Sequence, residues 1–369
     1  MSLKVLVAPD KFKGTLLAGA AALAIARGWR RARSGDELDL LPITDGGDGF
    51  GEVMSGLLRA RAQMIETVDA AHRRRRARWW WEPKSKTAII ESANVIGLAW
   101  LPPKKFHPFE LDTFGLGAVM RAAAAKGAKH CFIGIGGSAT NDGGFGVARA
   151  LGWEFLDGAG KPITRWTELH ALARVCAPRR PRRFVELTVA VDVQNRLLGA
   201  RGCTRIYGPQ KGLAEEDFPR AERCLRRLAL VAKRPLRTDY ASEPGAGAAG
   251  GLGFGLLCFA GARLRPGFDM FARQADLERR LRAADLVITG EGAIDASTMM
   301  GKGVGELAAR CRKLKIPCVG LAGAVTGSDR NKKYFAGLYG LTELTSAKNA
   351  KARAGFWLER LAERVAQRF

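Results

Sequence analysis

Leu3-Lys4-Val5-Leu6-Val7-Ala8-Pro9-Asp10-Lys11-Phe12-Lys13-Gly14 runs from an apolar stretch through a proline stop into a charged glycine loop. The apolar part, rich in Val and Leu, reads as a buried parallel strand. Thr15 is placed to cap a helix running to about Arg31. Glu37–Leu41 reads as the next strand, Thr44–Gly49 as a loop, and a helix follows to about Arg61. Strand, helix, strand, helix is the order of a parallel α/β sheet. The pattern returns near the far end, with a strand at Ala284–Thr289, a helix at Gly303–Leu314 and a strand at Pro317–Ala322. An amphipathic helix is expected over Ala347–Phe369.

The middle differs. Met64–Val68, Arg76–Trp81 and Thr87–Glu91 are β-rich pieces. A helix at Gly115–Lys126 precedes a strand at His130–Ile135, and short strands follow at Trp153–Leu156 and Leu187–Asp192. Helices are expected at roughly Glu215–Lys233 and from Gly245–Gly255 onward. The expected fold class is therefore α/β with two domains. A discontinuous, parallel-sheet, Rossmann-like domain takes residues 1–65 and 283–369, and an inserted α/β domain takes 66–282. A length of 369 residues agrees, since single cores stop growing near roughly 250–300 residues.

Composition narrows the function. Apolar content is 47%, ordinary for a globular chain. The 45 glycines cluster in loops, which suggests backbone that approaches a ligand. A net charge of +24 attracts anions, whether nucleic acid, acidic membrane or anionic substrates. That charge is spread widely, its densest run being Arg73–Arg76, with Arg78 and Trp79-Trp80-Trp81 close behind. No nucleic-acid module is present, so a nucleic-acid partner is not expected. Seven scattered cysteines without a C-x-x-C pair suggest reduced thiols in a cytoplasmic protein and argue against a zinc site. No signal peptide is expected, because Asp10 follows the first strand at once, and Leu16–Ile25 is too short to span a bilayer.

Charged glycine loops follow the strands of the discontinuous domain: Asp10–Gly14, Asp45-Gly46-Gly47-Asp48-Gly49, and Gly290-Glu291-Gly292, with Ala322-Gly323 beside them. In open parallel sheets, ligands sit beyond the carboxyl ends of strands. One such loop is ordinarily a turn, but acids at three strand ends point to a site. Asp10, Asp45, Asp48, Asp142, Asp192, Glu291 and Asp295 could hold Mg²⁺ or accept a proton from an attacking hydroxyl. Singly, each is more often a cap or turn residue. Lys13, Lys211 and Lys302 lie beside these loops and could neutralise phosphate.

The stretch Gly134-Ile135-Gly136-Gly137-Ser138-Ala139-Thr140-Asn141-Asp142-Gly143-Gly144 could offer amides to phosphate or carboxylate oxygens. It also fits G-x-G-x-x-A, with Asp157 ending the next strand, which keeps a nicotinamide-dependent oxidoreductase as an alternative. A P-loop, protein-kinase signatures and a serine-hydrolase elbow are missing from the sequence, and the four histidines lack metal spacing.

Taken together, these stretches resemble the type-1 glycerate kinase family. The matching pieces are Ala8-Pro9-Asp10 with Phe12-Lys13-Gly14, Asp45-Gly46-Gly47, and Gly134–Gly144. Asp192-Val193 with Asn195, Gly208–Gly212, Pro244–Gly253, Thr289–Gly292 with Asp295, and Gly301-Lys302 follow in family order. The resemblance implies ATP- and Mg²⁺-dependent phosphorylation of glycerate, with 2-phosphoglycerate favoured over 3-phosphoglycerate. It also implies two α/β domains facing one another across a cleft. Another small hydroxy acid is the alternative substrate, because Ala293 stands where the family commonly has Arg, and Thr113–Ala118 is less polar than usual. A homodimer is compatible, and no interface is assigned.

The residue assignments follow. Asp192, ending an apolar strand, is expected to accept the hydroxyl proton, with Asp45 its competitor and Lys13 beside the reacting groups. Gly136, Gly137, Ser138, Lys211, Gly247, Gly250, Gly301 and Lys302 are expected to bind the nucleotide. Glu291 and Asp295 are expected to carry Mg²⁺.

Overall fold

The first apolar run is β1 (Lys4–Val7), and after the helix Ala18–Ala32 comes β2 (Glu37–Leu40). The chain goes on through the helix Phe50–Leu58 to β3 (Arg61–Val68), β4 (Arg74–Glu82), β5 (Thr87–Glu91) and β6 (His130–Gly134). Next are β7 (Glu154–Asp157), β8 (Leu172–Cys176), β9 (Glu186–Val191) and β10 (Arg263–Pro266). Last are β11 (Leu286–Ile294), β12 (Cys318–Val325) and β13 (Gly337–Gly340). The computed structural model describes residues 2–179, 183–299, 303–326 and 333–369, so Gly301 and Lys302 lie outside the described residues.

Two units emerge. The first joins Met1–Asp45 to Phe268–Phe369. Its sheet has the order β13-β12-β11-β1-β2, and every pairing is parallel. Counted within the unit, this is the doubly wound order 2-1-3-4-5 read from the other edge. Val5, Val7, Ile288, Val319 and Leu321 form the sheet side of one core. Ile25 and Trp29 of the helix Ala18–Ala32, and Leu358, Leu361 and Val365 of the helix Ala354–Ala366, cover it. The expected single C-terminal helix is two, Ala347–Ala352 and Ala354–Ala366, because Arg353 leaves helical geometry at φ −132°, ψ 43°.

The second unit is Gly46–Gly267. Its main sheet runs β10-β9-β6-β5-β4-β3, with β5, β6, β9 and β10 parallel and β3 and β4 antiparallel. The Arg/Trp segment is β4. Ala77 and Trp79 face the core while Arg74, Arg76 and Arg78 face solvent, as the two-residue strand period requires. These tryptophans are packing residues: Trp79 joins the core, and the buried Trp80 lies against Gly51.

The division falls at 45/46 and 267/268 and not at the 65/66 and 282/283 expected from the sequence. Pairing explains the difference. β3 is hydrogen-bonded to β4 from Arg61↔Trp81 to Val68↔Arg74, and the helix Phe50–Leu58 lies under Trp80. At the other boundary, Arg280 of the helix Leu277–Ala283 binds Asp39 in the first unit at 2.6 Å.

All seven cysteines are free, six of them buried and Cys176 half-buried. No helix of the described residues is long and apolar enough to cross a membrane.

Candidate active site

In the first unit the topological switch lies between β1 and β11. The chain leaves β1 toward β2 on one side and β11 toward β12 on the other, which opens a crevice at their carboxyl ends. Those ends are joined where the Asp10 amide donates to the Gly290 carbonyl at 2.8 Å. Asp10 is buried, and its Oδ1 accepts the Lys11 amide at 2.7 Å. Burial pushes its carboxyl up from 3.8 to about 7, helped by the charges of Asp45 and, less strongly, Glu291, while Lys11 opposes the rise. Three acids are thus gathered at the switch point, from β1, β2 and β11.

The two residues expected to carry metal are both anchored. Thr298 Oγ1 donates to Glu291 Oε1 at 2.8 Å. Asp295 Oδ1 accepts the Ser297 amide at 2.7 Å and the Ser297 hydroxyl at 2.6 Å. Lys13 is exposed in the loop after β1, beside Gly292 of β11. Among the described residues, no three His, Cys, Asp or Glu side chains make a metal cage.

In the second unit the parallel strands β5, β6 and β9 end at Glu91, Gly134 and Val191. Glu91 is buried and accepts the Gly49 amide at 3.0 Å and the Gly51 amide at 2.9 Å. It anchors the start of the helix Phe50–Leu58 and with it the loop Gly46–Gly49. The Gly134 loop meets that same loop: a Cβ on Gly136 would lie 2.7 Å from Gly47 Cα, and one on Gly137 would lie 2.4 Å from Asp48 Oδ1. Ser138 is buried, its hydroxyl 2.9 Å from Thr140 Oγ1. Asp192 is exposed just beyond β9. Its charge, after burial, helps push the Tyr207 phenol up to about 12. Tyr207 donates to Asn195 Oδ1 at 2.6 Å, and Asn195 Nδ2 donates to the Arg201 carbonyl, so the loop after Asp192 is braced.

Several glycines expected to face a ligand face protein backbone. A Cβ on Gly247 would lie 2.2 Å from the Arg196 carbonyl oxygen. Gly250 has φ +70°, and a Cβ there would lie 1.9 Å from the Thr140 carbonyl oxygen. The Gly143 amide donates to the Gly250 carbonyl at 3.1 Å. The two long glycine motifs therefore pack on each other, which places the strand-end loops and the helix Ala248–Ala260 in one cluster.

Asp142 is fully buried and serves as a cap. It accepts from the Thr113 amide and hydroxyl at 3.0 and 2.8 Å, and from the Gly144 and Gly146 amides at 3.1 and 2.9 Å. Burial, then the charge of Asp112, pushes its carboxyl up to about 6. Asp157 caps the turn after β7, accepting the Ala159 and Lys161 amides. Because β7 pairs with β8 in a separate antiparallel ribbon, Asp157 does not stand beside β6 as a dinucleotide fingerprint demands.

The sequence places Asp10 at a strand end, in a matching motif and among the acids open to Mg²⁺ or a proton, without a final assignment, and it gives Glu91 no role. Both share one signal, a carboxylate at or within three residues of the end of an apolar strand.

A family model described as the glycerate kinase family matches residues 5–369. A glycerate kinase of Bacillus subtilis (strain 168) is 36% identical over 380 residues, covering 99% of this chain and 97% of that protein. A glycerate 2-kinase of Escherichia coli (strain K12) is 36% identical over 330 residues, covering 88% of this chain and 86% of its own. Among solved structures, a protein named glycerate kinase 2 from Salmonella typhimurium LT2 superposes with a TM-score of 0.86 at 34% identity. That match covers 99% of this chain and 98% of that one.

Proposed function

The chain belongs to the glycerate kinase family, and on that premise we propose that it transfers the γ-phosphoryl group of ATP to the 2-hydroxyl of glycerate. The observation that carries the chemistry is the gathering of Asp10, Asp45 and Glu291 at the β1/β11 switch point. The carboxyl of Asp10 is raised there by burial and by its two acidic neighbours. Negative charge concentrated in that way is relieved by a hard divalent cation with oxygen ligands, so the residues fit Mg²⁺. Glu291 and Asp295 would hold it directly or through water, and when bound it offsets charge on the phosphate oxygens.

The chain's own groups would do the rest. Asp192 accepts the proton of the glycerate hydroxyl as that oxygen forms its bond to the γ-phosphorus. The bond between that phosphorus and the β,γ-bridging oxygen breaks, and ADP departs with the electron pair. Asp45 is the competing acceptor. Lys13 and Lys211 steady anionic oxygens, Lys302 is assigned the same part, and Gly136, Gly137 and Ser138 offer backbone to the nucleotide. Gly247 and Gly250 act indirectly, Gly247 by admitting the backbone of Asn195-Arg196 and Gly250 by letting the two glycine motifs close on each other. The seven free thiols suit a reducing cytoplasm.

A coupled assay of ADP release tests this reading. Purified protein should release ADP with D- or L-glycerate, ATP and Mg²⁺ together and not when glycerate is omitted. No glycerate-dependent release over a wide range of pH and Mg²⁺ would refute it.

A further inference from the structure

Lys211 closes the helix Cys203–Lys211 and is buried to 7% exposure. An ammonium carries three donors. One goes to the Thr140 carbonyl at 2.6 Å, and among the described residues no carboxylate pairs with it. Burial lowers its pKa to about 8, although Cys203 and Asp142 both oppose the fall. A buried cation without a close counter-charge is costly, and an apolar side chain would fill the same space without that cost.

A second polar group in the same place is also short of partners. Asn141 is fully buried; its Nδ2 donates to Thr204 Oγ1 at 3.1 Å, and its Oδ1 meets no donor among the described residues. Thr204 and Lys211 are two turns apart on one helix and so share a face, which brings both to the consecutive residues Thr140 and Asn141. A hydroxyl can donate as well as accept, and an amide can be turned over. Turned, Asn141 would accept from Thr204 and present its NH₂ as a donor. The cluster would then offer the spare Lys211 donors and the Asn141 amide, all suited to a negatively charged oxygen and none to a metal.

We propose that Lys211 and Asn141 form a subsite for one anionic oxygen group of a reactant, either the glycerate carboxylate or an ATP phosphate. The proposal rests on the kinase reading above for the identity of the reactants, and it makes Asn141 a binding residue. Its alternative is a structural one, in which Lys211 only braces the Thr140 carbonyl.

Calorimetric titration of glycerate and of ATP into wild type, Lys211→Met and Asn141→Asp separates the two. Asn141→Asp gives Lys211 an internal carboxylate. It should keep or raise the melting temperature while weakening one reactant about 10- to 100-fold, the loss expected for a charge-assisted contact. Lys211→Met should weaken the same reactant. The reactant affected names the occupant, and the other should bind as in wild type. Unchanged binding of both reactants in both variants, or equal loss of both, overturns the subsite in favour of the structural brace. Wild type that fails to convert glycerate would sink only the kinase reading. Inorganic phosphate titrated into the same three proteins would still decide the subsite, with weaker binding by Asn141→Asp supporting it and identical binding overturning it.

Discussion

At the level of single residues, the carboxylates differ in what already holds them. Asp142 and Asp157 spend their oxygens on backbone amides of their own turns, so they are caps. Asp192 is exposed, and it lies just beyond the carboxyl end of β9, a position from which it can be aimed as a proton acceptor. Asp192→Asn keeps the shape and removes the charge, and turnover should fall about 10²–10⁴-fold with the fold intact. If that variant retains near wild-type turnover while Asp45→Asn is inactive, Asp45 is the acceptor. Asp10 makes a different prediction. In the folded chain it keeps its proton up to about pH 7, whereas the unfolded chain loses it near 3.8. The folded state therefore binds more protons in that window, and stability falls as pH rises through it. Asp10→Asn should have a higher unfolding free energy than wild type at about pH 8 in EDTA, by at most about 4 kcal/mol, and the gap should close toward about pH 4. A gap that is independent of pH would show that Asp10 is charged in the fold.

At the level of elements, the parallel strands were legible because their apolar runs end abruptly in acids and glycines. That pattern located β1, β5, β9 and β11 and the loops beyond them. What the loops touch was not legible. The glycines of Gly134–Gly144 and Pro244–Gly253 looked like ligand-facing backbone, yet Gly250 packs on Thr140, and Gly144 on Gly255. A contact between segments a hundred residues apart leaves no local signal in either. The same holds for Lys211, whose helix, CTRIYGPQK, is too polar to announce that its last lysine is buried. Gly250→Ala tests the packing. Its left-handed backbone and the Thr140 carbonyl at 1.9 Å from an added Cβ together forbid a side chain without movement. A loss on the order of 3 kcal/mol is expected in urea unfolding, from backbone strain plus overpacking. A loss under about 0.5 kcal/mol would mean that the two glycine motifs yield freely.

At the level of the whole molecule, the sequence disclosed two α/β units and a discontinuous first one, but not where the chain passes between them. The crossing at Asp45/Gly46 is set by Glu91 and by β3–β4 pairing, both tertiary. The charge of +24 has a modest structural reading in its densest run, since the β4 arginines alternate with packed Ala77 and Trp79. Such a positive field still favours anionic reactants such as ATP and glycerate. The claim that joins all three scales is that this chain phosphorylates glycerate on its 2-hydroxyl. Phosphorus NMR of a single reaction of the full chain with ATP, Mg²⁺ and glycerate reads it directly. The account predicts ADP together with 2-phosphoglycerate in equal amounts; ADP with free phosphate alone, or 3-phosphoglycerate as the only ester, would contradict it.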